Sequence, residues 1–440
     1  MGRIFANTAW LLGGKGFGAL CSLVYLIILT RTLGLKDFGH FSLIFGTAQA
    51  LIAVAGFQTW QVVVRYGAPH VHRKDWAKFG RLGMLCGVID MIGAVVGCVI
   101  AYALIYGFAD TLDLNPAFLD MAFAFCCAML WALVSAPTGI VRALDRFDMA
   151  VYVEAIVPIG RLFAAVAIWW TGPTVGRFLL AWALIDILEA ICYWAMARKL
   201  CPKAVKLSYL KDWRLALEEN DGVSRFFLAS YASSVLGAVT RYGPLLTVGA
   251  LAGTKAAGLY RLASQLTQSM SKLSTLLTRA VYAEVSRASA QSEAAEFRKL
   301  TVQTSKIAGV TGAIVVALAL VAGKQLLALV GGEAFEEGAV VLVPLAIAAS
   351  FELASVAFEP VLHSTGRVRL ALLARVLAIV ALGISIGVLH VHGAVGVAWS
   401  VAIAASVVYI AMGAMAFKTL RHIDKDDAAD NAIDEGSTAK

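Results

Sequence analysis

The sequence predicts an all-α polytopic membrane protein, with twelve transmembrane helices arranged as two six-helix bundles. Three observations carry that reading. Of 440 residues, 60% are apolar and 15% charged, with a mean hydropathy of +0.78, whereas soluble domains carry about a quarter charged residues. Apolar runs of bilayer length, about 20 residues each, recur along nearly the whole chain. Lysine and arginine gather in alternate connections, as the positive-inside rule demands.

The runs fall at 8–30, 40–64, 82–108, 117–141, 149–171, 175–197, 226–250, 257–280, 304–328, 338–362, 369–389 and 393–417. The first is too long for a signal h-region and has no small-residue cleavage site after it, so it is expected to remain as a membrane helix. With the N-terminus inside, and with the span-end residues Arg177, Arg279, Lys324 and Arg369 counted with the connection beside them, inner connections hold 25 of the 37 lysines and arginines and outer ones hold five, namely Arg31, Lys36, Arg177, Lys255 and Lys324. The other seven lie within spans. Both termini are therefore expected in the cytoplasm.

The largest connection, 198–225, is basic and divides an N-terminal bundle (1–197) from a C-terminal one (226–418). Residues 419–440 form an acidic, polar tail that composition marks as disordered. The basic balance, with a pI near 9.1, is a topological signal. Nucleic-acid binding would need a soluble basic domain, and no connection is long enough to hold one. The seven cysteines are odd in number, sit mostly inside spans and lack metal-ligand spacing. His390 and His392 share a short outer turn and read as solvated. Neither metal nor cofactor is expected.

The halves read as repeats. At an offset of 219, Gly34 pairs with Gly253, Lys36 with Lys255, Gly39 with Gly258, Leu43 with Leu262 and Gln49 with Gln268. These matches fall at the hairpin between the first and second spans of each half. Pro137 and Pro360 likewise occupy each fourth span. An even number of spans separates the copies, so the implied symmetry axis runs along the membrane normal.

The eighth span carries the strongest pattern. Arg261, Gln265, Gln268, Lys272, Thr275 and Arg279 fall within roughly 80° of one helical face. Leu262, Leu266, Met270, Leu273, Leu276 and Leu277 occupy the others. Charge in a bilayer is expensive, so the stripe must meet water, a partner or a polar ligand. Three cations with no acid among them suit an anionic ligand. An amphipathic helix on the membrane surface is the alternative, but it would remove a crossing and reverse the downstream orientation, against the charge split.

Other in-span charges leave alternatives open. Arg161 sits near the middle of the fifth span, suited to a cavity or an ion pair. Asp186 and Glu189 share a face of the sixth span, placed to neutralise Arg161 or to carry a coupling proton. Glu352, Ser355 and Glu359 share a face of the tenth span that His363 continues. That face is a candidate proton or sodium route, or a partner for Lys272 or Arg375. Arg241 in the seventh span fits either a cavity or a packed ion pair. Lys15, within Gly13-Gly14-Lys15-Gly16-Phe17-Gly18, can snorkel to the cytoplasmic interface or bind substrate. Asp90 stands alone in the third span as a further coupling candidate.

The first hairpin reads Thr30-Arg31-Thr32-Leu33-Gly34-Leu35-Lys36-Asp37-Phe38-Gly39, followed by an apolar span and Gly56 before Arg65. It resembles the start of the polysaccharide-transporter family, the Wzx-type O-antigen flippases of the multidrug/oligosaccharidyl-lipid/polysaccharide exporter superfamily. Leu35 stands where that family commonly has proline. The resemblance implies two six-helix bundles around a central cavity that opens alternately to each side of the inner (plasma) membrane. It also implies a polyprenyl-pyrophosphate-linked oligosaccharide as cargo, with protons or sodium and a polysaccharide polymerase machinery as further partners beside membrane lipid. Lipid II flippases are related, but they usually have fourteen spans and a paired Arg-Asp in the first helix. A cationic-drug antiporter would want an acidic cavity. A membrane glycan ligase or polymerase would need catalytic carboxylates or histidines in sizeable outer loops, and 109–116 offers only Asp110 and Asp113. The chain is therefore expected to be a transporter, not an enzyme.

Overall fold

The computed structural model describes residues 2–108, 111, 113–288, 294–355, 358 and 368–438; side chains at 2–15, 272–288, 294–302, 304, 368–369, 371 and 419–438 lie outside the description. The described residues are almost entirely helical and contain no strand. The helices are α1 (Gly2–Ala55), α2 (Trp60–His72), α3 (Trp76–Gly107), α4 (Leu119–Trp131), α5 (Ser135–Ala143), α6 (Phe147–Glu154) and α7 (Ile156–Thr171). They continue as α8 (Val175–Leu200), α9 (Trp213–Glu218), α10 (Val223–Ala288), α11 (Ala294–Gly331), α12 (Ala339–Ser355), α13 (Val368–Leu389) and α14 (Gly393–Thr438).

Nine stretches of the described residues are long and apolar enough to cross a bilayer. Three of them are interrupted inside: at Gly34, at Gly253, and at the turn His390–His392. Dividing them there accommodates twelve crossings. Gly34 (φ 72°, ψ 178°) and Gly253 (φ 77°, ψ −178°) share one backbone conformation, a left-handed φ that glycine adopts without steric cost. They are the pair matched at offset 219, so the two hairpin turns share one backbone geometry.

Three expected spans are not continuous helices. The second breaks at 56–59, the fourth at 132–134 and the fifth at Ala155. Two of these breaks have a proline cause. Pro137 and Pro158 lack the N–H that would bond four residues back, which frees the carbonyls of Leu133 and Glu154. In a bilayer such groups need an internal partner. Leu133 O receives the Trp194 indole N–H at 3.0 Å.

The chain gathers into two compact units, Met1–Gly258 with Val330–Gly332, and Leu259–Leu329 with Glu333–Lys440. In the first, the start of α10 packs on α1: a Cβ on Gly46 would fall 2.7 Å from Leu245, one on Gly249 2.5 Å from Leu43, and the Tyr231 hydroxyl donates to Val54 O at 2.8 Å. The segment after α8 folds back onto this unit. His70 Nε2 meets Asn220 Oδ1 at 2.9 Å, and Arg81 pairs with Glu219.

Tight contact ties the two hairpins together. A Cβ on Gly39 would lie 2.1 Å from Thr254 O, and one on Gly258 would lie 3.0 Å from Leu35 O. Residues 35 and 254 are equivalent at offset 219, as are 39 and 258, so the contact is reciprocal, as across a twofold axis. Asp113 caps it: its carboxylate accepts from Thr254 N–H at 3.1 Å and Thr254 Oγ1 at 2.7 Å. Those donors hold the Asp113 carboxyl below its ordinary value of 3.8. The stabilisation is complete above that ordinary value and is lost as pH falls through the lower folded-state value. The acid limb of a melting profile should therefore flatten in Thr254→Val; an unchanged limb would refute the clamp.

The reciprocal contact makes a second expectation. Gly39→Val should cost about 1–3 kcal/mol through overpacking and lower the melting temperature of the purified protein. Gly387→Ala, where nothing lies within 4 Å, should leave it unchanged. Equal melting temperatures for both variants would show the hairpin contact to be slack.

Candidate functional site

In the second unit, the polar stripe sits as its periodicity requires. Leu262, Ala263, Leu266 and Thr267 are buried, whereas Arg261, Gln265 and Gln268 on the opposite side are half-buried. The Gln268 amide donates to Ser264 Oγ at 3.1 Å, one turn back on the same helix. The helical backbone runs on past Lys272, Thr275 and Arg279 to Ala288, but those three side chains lie outside the described residues. Buried Tyr260 stands in the field of both Arg261 and Glu352, which brings the tenth-span acid toward the head of the stripe. Glu352 is exposed on α12, and Ser355 Oγ donates to its carbonyl at 2.8 Å. A carboxylate exposed at that depth calls for a water-filled or polar surround. Glu359 and His363 lie outside the described residues.

In the first unit, Arg161 and Asp186 come together. The buried guanidinium reaches both carboxylate oxygens, at 2.8 and 3.0 Å, and lies over the rings of Phe45 at 5.4 Å and Trp182 at 5.5 Å. Tyr25, Phe41 and Phe178 pack edge-on against Trp182. An arginine buried at this depth requires such a counter-charge, and the aromatic faces add cation–π attraction. Glu189, one turn beyond Asp186, is half-buried and makes no ion pair among the described residues. Glu154 turns away from Arg161 and pairs with Arg142 at 2.8 Å. Arg241 is exposed, with its guanidinium 5.5 Å from the Tyr242 ring. The side chain of Lys15 lies outside the described residues.

One polar cluster goes beyond the sequence reading. Asp90, Thr59 and Ser135 meet where the second and fourth spans break. The sequence holds a partial signal: a serine two residues before a proline in an apolar run.

The described fold is that of a multi-pass helical membrane protein with two matching glycine turns. The chain belongs to the family described as polysaccharide biosynthesis protein, whose family model matches residues 4–282. Among individual proteins, it is 27% identical to the inner membrane protein YghQ of Escherichia coli K12 over 346 residues, covering 76% of this chain and 94% of that one. Its fold is similar to that of the lipid II flippase MurJ in an inward closed conformation, with a TM-score of 0.71, 10% identity, and 92% and 88% of the two chains covered. It is also similar to an inward-facing multidrug resistance MATE transporter of the MOP superfamily, with a TM-score of 0.67, 16% identity, and 93% and 96% covered. The family resemblance read from the first hairpin is thus borne out, and the chain is a multi-pass membrane protein.

The Arg161–Asp186 geometry makes a clear expectation. Removing one partner strands the other charge, a loss of about 3–5 kcal/mol, so Arg161→Met should sharply lower the melting temperature. Arg161→Met with Asp186→Leu should recover most of it. A double variant no better than the single would show that the two side chains do not act as a pair.

Proposed function

We propose that this chain is a flippase that moves a polyprenyl-pyrophosphate-linked oligosaccharide from the cytoplasmic to the outer leaflet for polysaccharide assembly. The halves 1–197 and 226–418, joined by 198–225, alternate access to the two sides of the membrane. The observation that carries this reading is the eighth-span stripe, with Arg261, Gln265 and Gln268 turned away from a buried apolar face. Pyrophosphate is a dense anion, and guanidinium, ammonium and amide groups are its natural donors. Lys272 and Arg279 extend the same face in sequence. Membership in the polysaccharide biosynthesis family supports the cargo class. Arg241 and Lys15 are further headgroup candidates, and Arg161 becomes one only when its pair with Asp186 opens.

Ion coupling belongs to the same reading. Glu352 and Glu359 are the leading candidates for a proton or sodium route, with Asp186 and Glu189 second. Transport rather than catalysis fits the short connections, and a polysaccharide polymerase would consume the product at the outer face. A cationic-drug antiporter is disfavoured, because the cations of the stripe would repel such a cargo.

A charged contact to phosphate is worth about 1.5–3 kcal/mol. Replacing Arg261, Lys272 or Arg279 by alanine should therefore weaken headgroup capture about tenfold to a hundredfold. Surface glycan measured beside membrane abundance reads this out. Lost glycan at normal abundance supports headgroup contact, whereas normal glycan in all three variants would remove the anion-binding role of the stripe.

A further inference from the structure

The second and fourth spans break at one place, and a single buried carboxylate joins the ends. Asp90 stands 14 residues into α3, about 21 Å along its axis, and is 5% exposed. Thr59 Oγ1, at the start of α2, lies 2.8 and 2.9 Å from its two oxygens. The N–H of Ala136, in the first turn of α5, donates to Asp90 Oδ2 at 2.9 Å. Ser135 Oγ lies 3.0 Å from Thr59 Oγ1 and accepts from Trp60 N–H at 3.1 Å. Asp90 thus ties together the N-termini of both half-helices, where orphan backbone donors and positive dipole ends favour a negative charge.

No cation pairs with it among the described residues. On α3, Lys78 is taken by Asp75 and Arg81 by Glu219. On α2, Arg65 lies over Phe226 at 4.5 Å and His70 meets Asn220, while His72 sits at the far end of the helix. On α5, Arg142 is held by Glu154 and by the face of Trp60; on α4, Asp120 is bonded to Tyr106. On α1, His40 lies against Phe118, some fifteen residues from the break, with Asp37 and Lys36 beyond it. The titratable neighbour in the field of Asp90 is the buried thiol of Cys86, one turn earlier.

A buried acid without a counter-cation is poised to take up a proton, and the hydroxyls around it accommodate either state. With Asp90 ionised, Thr59 donates to the carboxylate and Ser135 can donate to Thr59. With Asp90 protonated, the chain reverses: Asp90 donates to Thr59, and Thr59 donates to Ser135. Nothing has to move except hydroxyl hydrogens. What changes is the strength of the cap, because hydrogen bonds to a charged acceptor are about twice as strong as neutral ones.

We propose that Asp90 is a proton-binding site whose charge state sets how firmly the half-helices α2 and α5 are docked, making the paired break a proton-sensitive hinge within the first unit. The ionised form clamps both N-termini; the neutral form loosens them together. The site shares no residue with the stripe or with the Glu352 face, and its response to pH does not depend on which cargo the protein carries.

The test needs no cargo. Hydrogen–deuterium exchange of the purified full chain in nanodiscs is followed at 56–62 and 132–138 across pH, after correction for intrinsic exchange. In wild type, opening of both segments should rise together by about five- to tenfold as pH falls through one midpoint. Asp90→Asn, a mimic of the protonated acid, should hold both segments at the high level at every pH. Ser135→Ala keeps the carboxylate and its Ala136 N–H donor, so the segment 132–138 should keep its pH dependence. Corrected exchange in wild type that does not depend on pH would overturn the proposal. So would loss of that pH dependence in Ser135→Ala, even if Asp90→Asn fails to accumulate. None of these outcomes bears on headgroup capture, which the alanine variants of the stripe test separately.

Discussion

Wherever a helix stops inside a hydrocarbon layer, its backbone donors and acceptors must find partners in the protein, because no water is there to take them. The interior of the first unit follows from that requirement. The break before Pro137 is closed by the Trp194 indole on Leu133 O and by Asp90 on Ala136 N–H, and the break before Trp60 by Ser135 on Trp60 N–H. The same rule governs charges. Arg161 enters the core only with Asp186 and a wall of aromatic faces, and Arg142, half-buried just past the fourth span, is held by Glu154 and Trp60. Each buried polar group therefore fixes the position of another helix. These few contacts constrain the packing of α2, α3, α5, α7 and α8 more tightly than the apolar contacts around them, which are exchangeable in kind.

The hairpins show a different economy. Gly34 and Gly253 take the same left-handed turn, and the residues after each one approach the other so closely that only a hydrogen fits. Small residues that let backbones touch are a usual means of helix association in lipid, where apolar side chains gain little by leaving the bilayer for one another. Asp113 then adds the polar part of the contact from a third segment. A gene duplication would produce this pattern directly: a turn that must meet its own copy is held to glycine at both positions, whatever happens to the helices between.

Much of this was legible in the sequence. Hydropathy located the crossings, and an offset of 219 found the two hairpins, because both signals are local and repetitive. The 100° periodicity of the eighth span separated Leu262 and Leu266 from Arg261 and Gln265 as the packing does. The helix breaks were not legible. Pro137 and Pro158 were visible, but a proline can kink a membrane helix or end it, and the break appears some four residues earlier. Residues 56–59 contain no proline at all. Long-range pairing was equally hidden: Glu154 lies seven residues from Arg161 yet binds Arg142, and Asp90 has its partners 31 and 46 residues away. Pairings of that kind depend on which helices become neighbours, which no window of sequence contains.

The in-span charges consequently divide into two kinds. Those of the first unit are largely held: Arg161 by Asp186, and Asp90 by hydroxyls and helix ends. A charge so held contributes to position, and an ion-paired one becomes available to a ligand only if its neighbours move. In the second unit, Arg261, Gln265 and Gln268 sit on the half-buried side of a helix whose opposite side, at Leu262, Ala263, Leu266 and Thr267, is buried. A run of polar groups along one face of a membrane helix has to be explained by what it contacts, because charge set against lipid is costly, and the buried apolar face cannot supply that explanation.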